Sequence, residues 1–281
     1  MEPEQLAERV WPGQRVVIEP LGGGITNRNF KVDANGREFV LRIGGKDTEL
    51  LGIDRSAEYA ASSVAAGLGL GPEVVAYVEP EGYLVTRYID GEVGKVDVDL
   101  VGAALRRLHD GPALPSRFDS FRVVEAYRAT AREHGVGIPS AYERAKEVAD
   151  QIERRRSQAP LRPCHNDLLN ANFIADGERL WIVDWEYAGM GDPFFDLGNF
   201  AVNHELTEDA ERQLLSAYGS DDVDALVLMR FMSDFREAMW GVVQLGISEL
   251  DFDFRAYADE HFERLARTAA EPRFLGALQA P

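Results

Sequence analysis

The sequence predicts an α+β fold of two lobes, a small N-terminal lobe with an antiparallel sheet and one helix, and a larger, mainly helical C-terminal lobe. The 281 residues are enough to build two modest lobes. The first ninety residues contain short β-branched runs typical of strands, whereas apolar residues beyond Gly94 recur at the three- and four-residue spacing of helices. We therefore expect two domains, residues 1–88 and 89–281.

In the N-terminal lobe, the strongest local signal is Asn35-Gly36, which lies between two β-branched runs. Both residues tolerate a positive φ, so the pair predicts a tight hairpin turn. Asp54 has the chemistry of a helix N-cap, and the helix after it is expected to extend to about Ala66. The strands are predicted at residues 15–19, 29–33, 38–43, 74–78 and 83–88.

In the C-terminal lobe, helical periodicity is interrupted once. Two short apolar runs, residues 172–176 and 180–184, flank Asp176-Gly177 and predict an inserted hairpin. The helices are predicted near residues 97–109, 121–134, 140–156, 207–218, 221–245 and 256–269.

Composition argues against several classes of function. The 48 acidic and 30 basic residues give a formal net charge of −18, which disfavours binding to nucleic acid or anionic lipid and favours cationic small molecules. An ordinary solvated surface is the alternative explanation of this charge. The single cysteine, Cys164, permits no intrachain disulfide, and no apolar run approaches the ~20 residues that cross a bilayer. Because residues 1–20 also lack the apolar core of a signal peptide, we expect a cytoplasmic protein.

The segment from His165 to Asn172 carries the spacing H-x-D-x-x-x-x-N, which is the spacing of a kinase catalytic loop. Phosphoryl transfer to an alcohol needs a carboxylate that accepts the hydroxyl proton, and Asp167 is the candidate. It also needs oxygen ligands for Mg²⁺, and Asn172 is the first of these. Taken alone, this motif could equally be a solvated loop with incidental polar residues.

Asp184 is the candidate second metal ligand. If the turn of the predicted hairpin is centred near residue 178, antiparallel pairing places Asn172 and Asp184 opposite each other at its open end. Two separated motifs would then meet around one ion. Asp196, further along, has two interpretations: it is the N-cap of an apolar helix, or a buried acid that binds the backbone of the catalytic loop.

Two features indicate the nucleotide side. Residues 21–27 contain three consecutive glycines and end in Thr26 and Asn27, so their backbone N–H groups could approach ATP phosphates, although an ordinary tight turn is equally consistent. Arg42 places one cation in an apolar strand, where a kinase holds the residue that pairs with the α/β-phosphates, and Glu58 would be its partner. An edge-facing arginine is the alternative.

Taken together, these residues resemble the choline/ethanolamine kinase family, within the wider aminoglycoside-phosphotransferase-like group. The likeness extends over nearly the whole chain, and its most family-specific part is at the C-terminal end. The matching segments are residues 23–27, the strand that ends in Arg42, residues 53–55 leading to Glu58, then 164–168, 184–189, 195–199, 240–241, Gln244, 247–254 and 257–258.

The resemblance implies a bilobal protein-kinase-like fold that binds ATP and Mg²⁺ and holds a small amino alcohol in the helical lobe. It also implies an aromatic box for a cationic head group, to which Tyr187, Trp240 and Tyr257 correspond. Aromatic faces suit a quaternary ammonium because that group cannot donate a hydrogen bond.

This sequence also departs from the family pattern. Glu237 occupies a position where animal choline kinases carry a second tryptophan, and Asn203 falls where a family acid is expected. A carboxylate at 237 suits a less methylated ammonium, which can donate to it, or compensates for the loss at 203. The alternatives to a choline or ethanolamine kinase are a kinase of the same fold for another alcohol, such as an aminoglycoside or thiamine, and a nucleotide-binding protein without catalysis.

Overall fold

The computed structural model describes residues 2–22, 27–94 and 96–280. In chain order, the elements of this part are α1 (Pro3–Val10), β1 (Val16–Leu21), β2 (Asn27–Ala34), β3 (Arg37–Gly44), α2 (Arg55–Gly67), β4 (Val74–Val78), β5 (Tyr83–Arg87), β6 (Glu92–Val93), α3 (Val98–His109), α4 (Ser120–Glu133), α5 (Ala141–Arg156), β7 (Arg162–Cys164), β8 (Phe173–Ala175), β9 (Leu180–Ile182), β10 (Gly189–Gly191), α6 (Pro193–Asn203), α7 (Glu208–Tyr218), α8 (Val223–Ile247), α9 (Phe254–Ala270) and α10 (Pro272–Gln279). None of the described helices combines the length and the apolar character needed to cross a bilayer.

The chain divides into two compact units. The sheet unit comprises Met1–Val96 and Asn170–Tyr187, and the helical unit comprises Asp97–Leu169 and Ala188–Pro281. The inserted hairpin groups with the sheet unit because β8 pairs with β6. The division into domains 1–88 and 89–281, with separate nucleotide-binding and substrate-binding roles, stays a prediction.

The sheet unit is built on a five-stranded antiparallel sheet in the order β1-β2-β3-β5-β4. The predicted Asn35-Gly36 hairpin is present, with φ values of 56° and 77° at its two central residues. Alternate residues of the central strands, such as Val32 and Leu41, are fully buried and pack with α1. The sequence did not predict α1, because a helix of eight residues shows barely two turns of periodicity.

Helix α2 begins where the sequence predicted. The Asp54 carboxylate accepts hydrogen bonds from the backbone N–H groups of Ser56 and Ala57, at 2.8 and 3.2 Å. This satisfies two of the N–H groups that the first turn of a helix leaves without a partner. The cap fixes the start of the helix, and Glu58 therefore lies in its first turn, on the buried face.

The hairpin of β8 and β9 is present, but its predicted register is wrong. Phe173 pairs with Ile182, and the Val183 N–H donates to the Asn172 carbonyl at 2.9 Å. Asn172 is thus opposite Val183, and Asp184 lies one residue further on. The shift arises because the Asp176 carboxylate accepts the N–H groups of residues 178 and 179, which centres the turn between residues 177 and 178.

The helical unit is organised around α8, a 25-residue helix that packs against α4, α6 and α9. Close approach of the backbones is possible because small residues lie at the contacts. A Cβ built on Gly198 of α6 would lie 2.6 Å from the backbone N of Arg230 in α8. Similar close contacts occur at Gly102, where α3 meets α7, and at Gly241, where α8 meets α9. The glycines therefore set the distances between these helices.

Candidate active site

Two guanidinium groups and three carboxylates meet in the sheet unit. We call this group the arginine–carboxylate cluster; its members are Arg42, Arg55, Glu58, Asp184 and Glu186. Arg42 on β3 donates from Nη2 to Asp184 Oδ1 at 2.5 Å and to Glu186 Oε2 at 2.9 Å. Its Nε lies 3.2 Å from Glu58 Oε1. The predicted contact between Arg42 and Glu58 is therefore present, and their role toward phosphates stays a prediction.

Arg55 of α2 also belongs to this cluster, although its sequence pattern predicted no role for it. Its Nη1 donates to Glu58 Oε2 at 2.6 Å and to Glu186 Oε2 at 3.1 Å. Its Nη2 donates to the side-chain oxygens of Asn27 and Thr48, both at 3.1 Å. Asn27 in turn donates to Glu186 Oε2 at 3.0 Å. The signal that could have identified Arg55 is its i,i+3 spacing to Glu58 in the first turn of α2.

Two glycines leave room for the Arg55 side chain. A Cβ built on Gly44 would lie 3.0 Å from its guanidinium carbon, and one built on Gly82 would lie 2.6 Å from its Cβ. Real Cβ atoms do not approach other atoms as closely as the second distance. The path of Arg55 into the cluster thus depends on the absence of side chains at residues 44 and 82.

The cluster shifts proton equilibria because it is buried. Burial raises the pKa of Asp184 to about 6, and repulsion from Glu186 and Glu58 adds to this against the attraction of Arg42. Burial opposes the charge of Arg42, but Asp184, Glu58 and Glu186 outweigh it and raise the pKa of Arg42 well above its ordinary value. With all groups ionised, two guanidinium groups and three carboxylates leave one net negative charge.

Asn172 and Asp184 were predicted to hold a magnesium ion, and their chemistry fits one. Mg²⁺ prefers oxygen ligands, which an amide carbonyl and a carboxylate supply. Asn172 faces Val183 across the end of the hairpin, and Asp184 is the next residue. Asp184 has a φ of 69°, a backbone conformation that is rare outside glycine and concentrates at functional sites.

The remaining residues predicted to bind the nucleotide or the head group lie in different parts of the chain. Thr26 lies outside the described residues, together with Gly23, Gly24 and Ile25. Tyr187 is buried in the sheet unit. Trp240 and Tyr257, the other members of the predicted aromatic box, belong to the helical unit.

In the helical unit, Asp196 fixes the backbone of the segment that carries Asp167. Its two carboxylate oxygens accept the backbone N–H groups of His165 at 2.8 Å and Asn166 at 2.7 Å, and His109 Nε2 lies 3.0 Å away. Asp196 is fully buried. Of its two predicted roles, the structure supports the buried acid and not the helix cap. The cap of α6 is Asp192, whose side chain accepts the Phe194 N–H at 3.0 Å.

A second polar residue of α6 holds the other side of this segment. Asn199 Oδ1 accepts the Leu168 N–H at 2.5 Å, and its Nδ2 donates to Ser233 Oγ in α8 at 2.9 Å. The Asp167 N–H donates to His165 Nδ1 at 3.2 Å, so this ring nitrogen is the acceptor. Four consecutive backbone N–H groups, residues 165–168, are thereby satisfied by side chains. This fixes the position of the Asp167 carboxylate.

The Asp167 carboxylate is part of a buried charge network. We call it the acceptor cluster; its members are Asp167, Arg236, Glu237, Trp240 and Tyr257. Arg236 donates from Nη1 to Asp167 Oδ1 at 3.0 Å, and the same nitrogen donates to Glu237 Oε1. The Tyr257 hydroxyl donates to Glu237 Oε2 at 2.7 Å. Arg236 and Glu237 are 1% and 2% exposed, so the charged centre of this network is buried.

The aromatic members of the acceptor cluster pack edge to face. The rings of Trp240 and Tyr257 are 5.5 Å apart at an angle of 69°, and Phe254 lies 5.7 Å from Trp240. Burial, together with Glu237, raises the pKa of Tyr257 well above its ordinary value, which keeps its hydroxyl protonated as a donor. Arg236 was not predicted, although a cation inside an apolar helix was a signal that could have revealed it.

Comparison with known proteins adds an independent observation. The profile of the phosphotransferase enzyme family matches residues 17–231, which is more than half of the chain. The chain belongs to this family. Two LicA proteins of Haemophilus influenzae are each 30% identical to this chain. The alignments cover 70% and 69% of this chain. The chain spans 61% of the length of the first LicA protein, which is less than two thirds, and 76% of the second.

Solved structures agree with this assignment. A choline/ethanolamine kinase family protein from Mesorhizobium loti has 34% identity to this protein and a TM-score of 0.81, covering 95% of this chain and 92% of that one. The predicted resemblance to the choline/ethanolamine kinase family is therefore confirmed. Choline kinase LicA from Streptococcus pneumoniae shares the fold, with a TM-score of 0.82 and 24% identity over 95% of this chain and 98% of that one. These likenesses also confirm the predicted fold class.

Proposed function

We propose that this phosphotransferase is a kinase that transfers the γ-phosphoryl group of ATP to the hydroxyl group of a small cationic amino alcohol, choline or ethanolamine. The observation that carries the proposal is the Asp167 carboxylate, buried in the acceptor cluster beside Arg236 and Glu237. A base in the H-x-D-x-x-x-x-N motif, next to further negative charge and aromatic rings, suits an acceptor that has a hydroxyl group and a cation.

The sheet unit would bind the nucleotide. In the proposal, the Arg42 guanidinium contacts the α/β-phosphates, and Glu58 and Arg55 keep it oriented through the contacts described above. Asn172 and Asp184 would hold Mg²⁺, which supplies charge neutralisation for the phosphate oxygens when it is bound. Arginine suits this role because its planar donor fork matches phosphate oxygens.

The helical unit would bind the acceptor. Its cationic group would lie against Trp240, Tyr257 and Glu237, and the role of Tyr187 toward the head group stays a prediction. The Asp167 carboxylate would accept the hydroxyl proton and orient the oxygen. That oxygen forms a new bond to the γ-phosphorus as the bond from phosphorus to the β,γ-bridging oxygen breaks, and ADP leaves. The rate enhancement would come from positioning of the acceptor hydroxyl group and from neutralisation of the charge on the phosphoryl group, without a covalent enzyme intermediate.

Replacing the base tests the assignment. We expect Asp167→Asn to lower kcat by about 10²–10⁴-fold, because the amide cannot accept the hydroxyl proton. Affinity for ATP, measured by calorimetry, is expected to stay near the wild-type value. Asp209→Asn, at an exposed acid of α7, is the matched control and should leave both quantities unchanged. An Asp167→Asn variant with the wild-type rate would show that the base is another residue.

A coupled assay of ADP release tests the acceptor class. The panel contains choline, ethanolamine, their methylated intermediates, thiamine and several aminoglycosides. We expect turnover with one or more amino alcohols and little with the bulkier alcohols. Turnover of an aminoglycoside or thiamine alone would contradict the proposed acceptor and retain the phosphotransferase chemistry.

A further inference from the structure

Glu237 is a charged residue in the middle of a buried helix. Burying a carboxylate is unfavourable unless other groups compensate for its lost hydration. Here Arg236 and Tyr257 each donate to one of its oxygens. Burying these charged groups costs free energy of desolvation, and an apolar residue at the same position of α8 would avoid that cost. The network therefore calls for a functional explanation.

The charges of the acceptor cluster do not balance. Asp167 and Glu237 are two carboxylates, and both contact the guanidinium group of Arg236. When both acids are ionised, the three groups carry one net negative charge in a buried environment. A cationic ligand would neutralise this charge, and because the local dielectric is low the attraction would be strong.

The shared nitrogen also fixes how far apart the two carboxylates lie. Asp167 Oδ1 and Glu237 Oε1 both accept from Arg236 Nη1. Two hydrogen bonds of ordinary length to one nitrogen place the acceptor oxygens at most about 6 Å apart. In an amino alcohol with a two-carbon spacer, the nitrogen and oxygen are at most about 4 Å apart, since only three bonds separate them. The hydroxyl end of such an amino alcohol can thus contact Asp167 while its ammonium end contacts Glu237.

Glu237 retains capacity to accept further hydrogen bonds. An ionised carboxylate has about four lone-pair sites, and the contacts with Arg236 and Tyr257 use two of them. A primary or partly methylated ammonium has N–H groups that can use the others. A quaternary ammonium has none, so it leaves this capacity unused and must instead depend on the faces of Trp240 and Tyr257.

We propose that Glu237 is a specificity-determining residue that accepts a hydrogen bond from the acceptor's ammonium group, so that acceptors with N–H donors are preferred over quaternary ones. Arg236 is the positioning residue that links this anchor to the catalytic Asp167. The inference rests on the proposed function, because it specifies which amino alcohol the site selects. The preferred substrate class is a short amino alcohol with at least one ammonium N–H.

Steady-state kinetics on ethanolamine, its N-methyl and N,N-dimethyl derivatives and choline test this inference. For the wild-type protein, we expect the largest drop in kcat/KM, at least about tenfold, at the step to choline, where the last N–H donor is lost. For Glu237→Gln, we expect KM for ethanolamine to rise and kcat/KM for choline to change little. The ratio between ethanolamine and choline should therefore shrink by about tenfold or more.

The control is Glu211→Gln, at another buried glutamate of the helical unit that pairs with arginines, Arg230 and Arg273. It should leave the ratio between acceptors unchanged even if the protein becomes less stable. Wild-type protein that turns over choline as well as ethanolamine would overturn the inference. So would a Glu237→Gln variant that loses both activities in parallel, since Glu237 would then act through Arg236 on Asp167. Turnover of no amino alcohol at all would instead overturn the proposed function, and the inference with it.

Discussion

At the scale of single residues, the buried acids of the helical unit divide into two kinds. Asp167 and Glu237 contact a guanidinium group, so their charge is partly neutralised by a cation. Asp196 instead accepts two backbone N–H groups and lies beside His109. An acid of the second kind fixes the chain, because it is fully buried and its partners are backbone N–H groups of residues 165 and 166. Its contribution is to the geometry and stability of residues 165 and 166.

This division predicts a structural effect for Asp196→Asn. The amide has one acceptor oxygen where the carboxylate has two, so a buried backbone N–H would face an NH₂ group. We expect a loss of about 2–4 kcal/mol in the free energy of unfolding, measured by urea titration. Asp119→Asn at the N-cap of α4 should cost under about 0.5 kcal/mol, because asparagine caps a helix as well as aspartate does. Equal stability of Asp196→Asn and wild type would contradict this account.

Individual residues also show what the sequence could and could not predict. Asp167, Asn172 and Asp184 were identifiable because a motif and a hairpin narrow the choice of position. Arg55 and Arg236 were not assigned, because an arginine in a helix has the same sequence pattern whether it faces solvent or a buried acid. Tertiary packing decides whether such an arginine faces solvent or a buried acid. For Arg55, this packing depends on Gly44 and Gly82, which lie outside its helix.

At the scale of elements, glycines control how closely the helices approach. Gly198, Gly102 and Gly241 each lie where a Cβ would come within about 3 Å of a neighbouring helix. Sequence periodicity predicted most of the helices that these glycines join, within a few residues at each end. Periodicity did not mark α6, which was expected only as the apolar helix beginning near Asp196, and it missed α10. Helix α6 is apolar on nearly every side and shows no stripe to detect, and α10 is short.

Substitution of Gly198 tests the packing of α6 on α8. We expect Gly198→Ala to lower the free energy of unfolding by about 1–3 kcal/mol, because the added methyl group meets backbone atoms of residues 229 and 230 that cannot move aside easily. Gly276→Ala in α10, where the methyl group has open space, should be neutral or stabilise by up to about 1 kcal/mol. Similar effects of the two substitutions in a denaturation experiment would argue against the close contact.

At the scale of the whole molecule, the net charge of −18 and the buried clusters act together. Both clusters described above carry one net negative charge, and the excess of acidic residues adds a field of the same sign. Such a field raises the local concentration of cations and weakens as salt is added. The composition predicted a preference for cationic ligands, but it could not locate the buried acidic residues.

Acid stability is a second property of the whole molecule. Burial lowers the pKa of His204 to about 4 from its ordinary value of 6.5. Between these two values the unfolded chain binds more protons at this residue than the folded one, so the free energy of unfolding falls as the pH drops from about 6.5 to 4. We expect His204→Gln to lose less stability over this range than wild type, measured by urea titration at several pH values.

The control for this experiment is His134→Gln, at an exposed histidine, which should retain the wild-type dependence on pH. If His204→Gln and wild type lost equal stability on acidification, protonation of His204 would not contribute to unfolding.

The lone cysteine gives the molecule one more property. Cys164 is fully buried, and burial, together with Asp196 and Asp192, raises the pKa of its thiol well above the ordinary value. The reactive species is the thiolate, which is therefore nearly absent from the folded protein at neutral pH. Oxidants and alkylating reagents would reach this sulfur only after the helical unit opens. The rate at which a reagent modifies Cys164 would thus measure the rate of that opening, and mild oxidants would leave this thiol of the folded protein unmodified.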